Sequence, residues 1–210
     1  MTHFNNISKR AFCFVVILCC FLQVHLNATP ADTIRITDFG ITPNSRVNAV
    51  PAVQAALNAC RGKENVVLVF PKGRYDFWPQ HAIQKIYYES NTTDNNPKNL
   101  GILIEKMKNL VIDGQTSSFI FHGTMQPFTI DGCSNVSIRR VKIDWEIPLT
   151  GQGEVVDTTS RYIDVKIDEK QYPFEIENGK LMFVGEGWKS GIWIIMEYER
   201  DTHIITPRTG

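Results

Sequence analysis

Charge of one sign, long apolar runs, phosphate loops and paired cysteines are all scarce or missing in this chain. Its 22 basic and 22 acidic side chains cancel, so nothing draws it to a polyanion, and nucleic acid is not an expected partner. The longest apolar run, Ala11 to Leu22 (AFCFVVILCCFL), has 12 residues, against the roughly 20 that a helix needs to cross a bilayer. Glycine-rich phosphate loops, a nucleophile elbow and a CxxC pair do not occur, which removes the commonest nucleotide-binding, serine-hydrolase and thioredoxin-type readings. His81, His122 and His203 stand at no metal-ligand spacing; each reads as an ordinary polar residue, and neither a metal nor a cofactor is expected.

What is present begins with an export signal. Lys9 and Arg10 precede the short apolar run, and Ala28 offers a small residue for cleavage. Residues 1–28 are therefore expected to be removed, leaving an exported protein of the periplasm, cell surface or medium with no membrane anchor. Three of the five cysteines lie in that signal. Cys60 and Cys133 alone are too few for a disulfide framework, and each reads as a small buried hydrophobe. A hydrophobic content of 43% supports a globular core.

A repeat lies in the middle of the chain. GILIEKMKNLVIDG, Gly101 to Gly114, aligns without a gap on PFTIDGCSNVSIRR, Pro127 to Arg140, at a spacing of 26. Ile102 falls on Phe128, Ile104 on Ile130, Leu110 on Val136, Ile112 on Ile138 and Asn109 on Asn135. The apolar positions alternate, as in strands with one buried face. Short strands recurring at this period, with no helix between them, predict a right-handed parallel β-helix, an all-β fold in which each strand stacks on its equivalent one coil away. Asparagine at the equivalent bend tolerates left-handed backbone, and its amide can bond its copy in the next coil. Upstream, Val53, Ala56, Leu57 and Cys60 have helical spacing closed by Arg61-Gly62, which predicts a helix over Val50 to Cys60 capping the stack. The polar, turn-rich stretch Tyr87 to Asn99 predicts a loop.

After Pro148 the pattern changes to hairpins, GEVVDTTSRYIDVKID and YPFEIENGKLMFVG, the second carrying the turn signal Asn178-Gly179. The expected organisation is a signal over 1–28, a capping helix with the first β-helix coils over 29–150, and a small inserted antiparallel, barrel-like unit over 151–206. The chain ends soon after with no return to the stack, and looks truncated.

Several stretches together carry a family resemblance. DFGITPNSRVNAVPAVQAALNAC and VVLVFPKGRYDF resemble the N-terminal signature of pectate-lyase-like β-helix proteins. YESNTTDNNPKNLGILIEKMKNLVIDGQ, FIFHGTMQPFTIDGCSNVSIRRVKIDWE and the P-x-T-G-x-G-E-V that follows resemble the N-terminal part of the exported α-1,3-galactosidases of glycoside hydrolase family 110, over Thr33 to Arg208. The resemblance implies an inverting exo-glycosidase acting on galactose-terminated oligosaccharides and glycoconjugates, both blood group B type and linear. It also implies that the catalytic carboxylates lie downstream of this chain, so no catalytic residue is assigned here.

One carboxylate pair still invites a role. In IDWEIPLTGQGEVV, alternation turns Val141, Ile143 and Trp145 to the core and Asp144 and Glu146 outward together. Their Cα atoms would lie roughly 6.5 to 7 Å apart, from the strand rise, near the separation an inverting glycosidase needs. Such i, i+2 pairs are common on solvated strands, so the reading favours Asp144 and Glu146 as substrate-binding ligands for sugar hydroxyls over a catalytic pair. Trp145 reads as core before sugar platform. Asp113 and Asp131, each before a glycine, read as turn formers. Two other functions fit the same expected fold: a non-catalytic glycan-binding module, and a polysaccharide lyase, which would want a carboxylate cluster for Ca²⁺ that the sequence does not display.

Overall fold

The computed structural model describes residues 31–87 and 97–206. The signal expected over 1–28 and most of the loop expected over Tyr87 to Asn99 lie outside the described residues. The elements follow in the order β1 (Asp32–Arg35), a 3-10 turn (Ile36–Phe39), α1 (Val50–Cys60), β2 (Val66–Val69), β3 (Arg74–Phe77), β4 (Ile83–Lys85), β5 (Lys98–Glu105), β6 (Lys108–Phe121), β7 (Gln126–Asp131) and β8 (Ser134–Trp145). Five strands complete the chain: β9 (Glu154–Thr158), β10 (Ile163–Lys166), β11 (Phe174–Glu177), β12 (Lys180–Gly185) and β13 (Trp188–Gly191).

The strands fall into four small sheets among the described residues, and this overturns the expected fold class. The described residues show neither a wound parallel β-helix nor a closed barrel. The largest sheet has five strands and the others three, three and two. In the largest, one edge of the long β6 takes β2 along Leu110–Asp113 and β3 along Ser118–Phe121, the other edge takes β8, and β1 completes the row on β2, all in parallel. A second sheet sets β7 parallel and β4 antiparallel to β5.

The repeat does govern local register. Leu110 pairs with Val136, Ile112 with Ile138 and Ile102 with Phe128. Asn109 and Asn135 take φ of 50° and 54°, and the Asn135 amide donates to Asn109 Oδ1 at 2.7 Å. Register between neighbours, however, constrains only the pair, and two copies of a repeat do not determine how sheets wind about an axis. Towards the C-terminus, β9 and β10 are exposed along their whole lengths. A barrel needs alternate side chains buried inward, and these two strands enclose no interior.

The core forms where α1 meets the parallel sheet. Val50, Val53, Ala56, Leu57 and Cys60 bury one face of the helix. Asn48 fixes the start of α1, its Oδ1 accepting the Val50 and Trp78 amides at 3.1 and 3.2 Å. In the same core, Phe70, Tyr75, Phe77, Phe119 and Phe121 pack ring on ring, with Phe70–Phe119 and Phe77–Phe121 centroids 4.7 Å apart. Tyr75 satisfies its hydroxyl on the Pro71 carbonyl at 2.8 Å, and burial pushes its pKa up to about 12. Cys60 is buried and Cys133 half-buried, both as free thiols.

Candidate functional site: a charge cluster at the end of the parallel sheet

The last residues of β3, β6 and β8 lie in one row. Phe77 pairs with Phe121 and Phe121 with Trp145, and the ladder runs one step further through the His122 amide to the Phe77 carbonyl and the Glu146 amide to the Phe121 carbonyl. The step after the core row therefore sets Trp78, His122 and Glu146 side by side. The Trp78 and His122 rings stack with centroids 4.0 Å apart.

Alternation along β3 puts Tyr75 and Phe77 into the core and turns Arg74 and Asp76 together to the other face. Asp76 is nonetheless buried, its side chain fully covered. Arg74 Nε donates to both of its oxygens at 2.9 and 3.1 Å. The same guanidinium reaches Glu146 through Nη2. Arg46, in the loop before α1, stands 3.6 Å from Asp76 and 3.9 Å from Glu146. His122 Nε2 lies 3.1 Å from Asp76 Oδ1, and its Nδ1 lies 2.8 Å from Glu186 in the turn between β12 and β13. Burial pulls the Asp76 carboxyl upward, but Arg74, His122 and Arg46 together outweigh it and hold the group below the usual carboxylate range.

The predicted pair is split in the structure. Glu146 joins this cluster and keeps its side chain 42% exposed. Asp144 does not join it; its carboxylate sits 3.7 Å from Lys142 Nζ and accepts the adjacent Trp145 amide at 3.0 Å. Trp145 packs against Phe121, with centroids 5.8 Å apart, and its indole N–H donates to the Gly123 carbonyl, so it fills the core edge as alternation predicts. Asp113 accepts the Gln115 amide as a turn former would, but it is also buried between Arg139 and Arg140.

Ligating atoms of Asp76, His122 and Glu146 lie within 4.8 Å of one another, a spacing a divalent cation could span. Arg74 stands at that position, bonded to both carboxylates, so guanidinium charge already faces Asp76 and Glu146 and these residues are not assigned as a metal-ligand set. What the arrangement offers a ligand is a half-exposed carboxylate held between two arginines, able to accept from hydroxyl groups while the arginines donate to oxygens. Sequence reasoning missed Arg46, Arg74, Asp76, His122 and Glu186 because they come from four separate segments. A surface groove lined by Arg61, Lys63, Lys106 and Lys108 lies elsewhere and includes none of these residues.

A family profile described as GLAA-B beta-barrel domain I matches residues 151–210. Over 201 residues, 94% of the chain, the sequence is 51% identical to alpha-1,3-galactosidase B of Bacteroides thetaiotaomicron, covering 33% of that protein. It is 40% identical over 76% of the chain to alpha-1,3-galactosidase A of Shewanella woodyi, covering 26% of it. It is 34% identical over 91% of the chain to alpha-1,3-galactosidase A of Bacteroides fragilis, covering 32% of it. The chain thus spans about a third of the length of these relatives, or less.

Proposed function

This chain belongs with the α-1,3-galactosidases as their homologue, and from that premise we propose that it forms part of an exported exo-glycosidase hydrolysing terminal α-1,3-linked galactose with inversion. The observation that carries the reading is the 51% identity sustained over 94% of the chain. Linear and blood group B type glycans are the substrates to test. The catalytic acid and base are expected outside these residues, and Asp144 and Glu146 are proposed as ligands of galactose hydroxyls. The exposed carboxylate of Glu146 between two arginines supports that role more directly than the geometry around Asp144 does.

The decisive measurement is galactose release from an α-1,3-linked digalactoside by the whole gene product, with the anomer of the first-formed sugar read by NMR. Release of β-galactose supports the reading, whereas retention of the disaccharide without cleavage would make this a glycan-binding protein. In the active protein, Glu146→Ala should raise KM for galactosides by about tenfold, the loss of one charge-assisted hydrogen bond. An unchanged KM removes Glu146 from the sugar site while leaving the activity itself standing.

A further inference from the structure

His122 is buried, and each of its ring nitrogens faces a carboxylate oxygen, Nε2 at 3.1 Å from Asp76 and Nδ1 at 2.8 and 3.0 Å from Glu186. An ionised carboxylate only accepts, and a neutral imidazole carries one N–H, so a neutral ring would set a lone pair against one of the two carboxylates. The imidazolium form, with two N–H groups, satisfies both.

The surrounding charges agree. From β3 come Asp76 and Arg74, from the loop before α1 Arg46, from the end of β8 Glu146, and from the β12–β13 turn Glu186. Three carboxylates face two guanidiniums, and a protonated His122 makes the cluster neutral. The two arginines are engaged with Asp76 and Glu146, so among the described residues His122 is the only cationic partner of Glu186. Trp78, stacked flat on the ring, favours the cation over the neutral form. Among the described residues, the Glu186 carboxylate otherwise accepts only the Gly123 amide, at 3.2 Å. Gly123 has φ of 63°, and a Cβ there would meet the Glu186 carbonyl at 2.7 Å, so the approach of the turn depends on glycine.

We infer that His122 is a proton-operated latch: as the imidazolium it ties the β12–β13 turn to the end of the parallel sheet, and on losing its second proton it releases Glu186 and frees that turn. Asp76 stays in place because its arginines remain, so the moving part is the turn, where Glu186 is half-buried and Gly187 exposed. The inference goes beyond the galactosidase reading and does not depend on it.

NMR on the full chain tests this. Imidazole ¹⁵N correlations followed against pH should show both His122 nitrogens protonated at the acid end. Across the titration the amides of Gly123, Glu186 and Gly187 should shift with the same midpoint as the ring. Hydrogen exchange at Gly123, corrected for the intrinsic rate at each pH, should lose protection roughly tenfold when the ring deprotonates, the size of one lost charge-assisted hydrogen bond. Glu186→Gln keeps an acceptor without the charge and should abolish the pH dependence at Gly123 while leaving the core dispersed. If instead the turn amides hold still while the ring titrates, or titrate identically in the Glu186→Gln protein, the latch is refuted.

Discussion

Asp113 gives the sharpest stability test. Its side chain is 5% exposed, and it receives Nε of Arg140 at 2.8 Å, the Arg140 Nη2, Nη2 of Arg139 at 3.1 Å and the Gln115 amide at 3.1 Å. Arg140, ahead of the opposing effect of burial and the further help of Gln115 and Arg139, brings its pKa from 3.8 down to about 2. At about 1.4 kcal/mol per pKa unit that difference corresponds to an upper bound of about 2.4 kcal/mol. Arg139 and Arg140 are both more than half exposed, and solvent screening brings the expected contribution to about 1 kcal/mol. Because the folded-state value is depressed, this stability is fully present above the unfolded value near 4 and disappears as pH falls towards 2. Asp113→Asn is nearly isosteric with the protonated acid. Urea unfolding should therefore show the variant about 1 kcal/mol less stable at neutral pH, with the gap closing between about pH 5 and pH 2. A gap that persists at pH 2, or none at pH 7, would show that the arginine contacts do not stabilise the fold.

Three further outcomes follow from the packing. Phe119→Ala, which removes a fully buried ring lying within 6.2 Å of Phe70, Tyr75, Phe77 and Phe128, should cost about 3 to 5 kcal/mol in urea unfolding. Asn135→Ala loses both the bond to Asn109 and a residue suited to φ 54°; it should cost about 1 to 2 kcal/mol, and Asn135→Gly should recover the backbone part but not the bond. Arg74→Lys keeps the charge but cannot fork between Asp76 and Glu146, so thermal unfolding should show a loss of about 1 to 2 kcal/mol despite the conserved sign.

Much of the local structure was legible in the sequence because it is written in short-range periodicity. The helix over Val50 to Cys60 follows from one apolar face and a glycine after it. Parallel register between Leu110 and Val136 follows from a repeat that can be aligned by eye. Asn178 and Gly179 take φ of 51° and 76°, as a two-residue hairpin turn between Glu177 and Lys180 requires. The global winding was not legible. A repeat specifies which strands are neighbours, whereas the assembly of sheets depends on where the chain crosses from one to the next, and the antiparallel strand β4 and the open hairpins after Pro148 carry no period that reveals it.

The charge cluster was hidden by a change in the repeat itself. Up to Asp113 and Arg139 the pairing offset is 26 residues, but from Ser117 and Val141 onward it is 24. Gly114, Gln115 and Thr116 turn a corner on β6 that Arg140 alone turns on β8, with positive φ at Gln115, Thr116 and Arg140. Extending the 26-residue alignment would set His122 against Pro148, whereas the two extra corner residues bring it beside Glu146. Trp78, His122 and Glu146 therefore meet because of a local corner that composition and spacing do not disclose. Arg46 and Glu186 then converge on that row from segments 76 and 40 residues away from His122 and Glu146 respectively. A buried histidine facing two carboxylates becomes recognisable only when those strands are set in register, which is why His122 reads as unremarkable in the sequence and central in the fold.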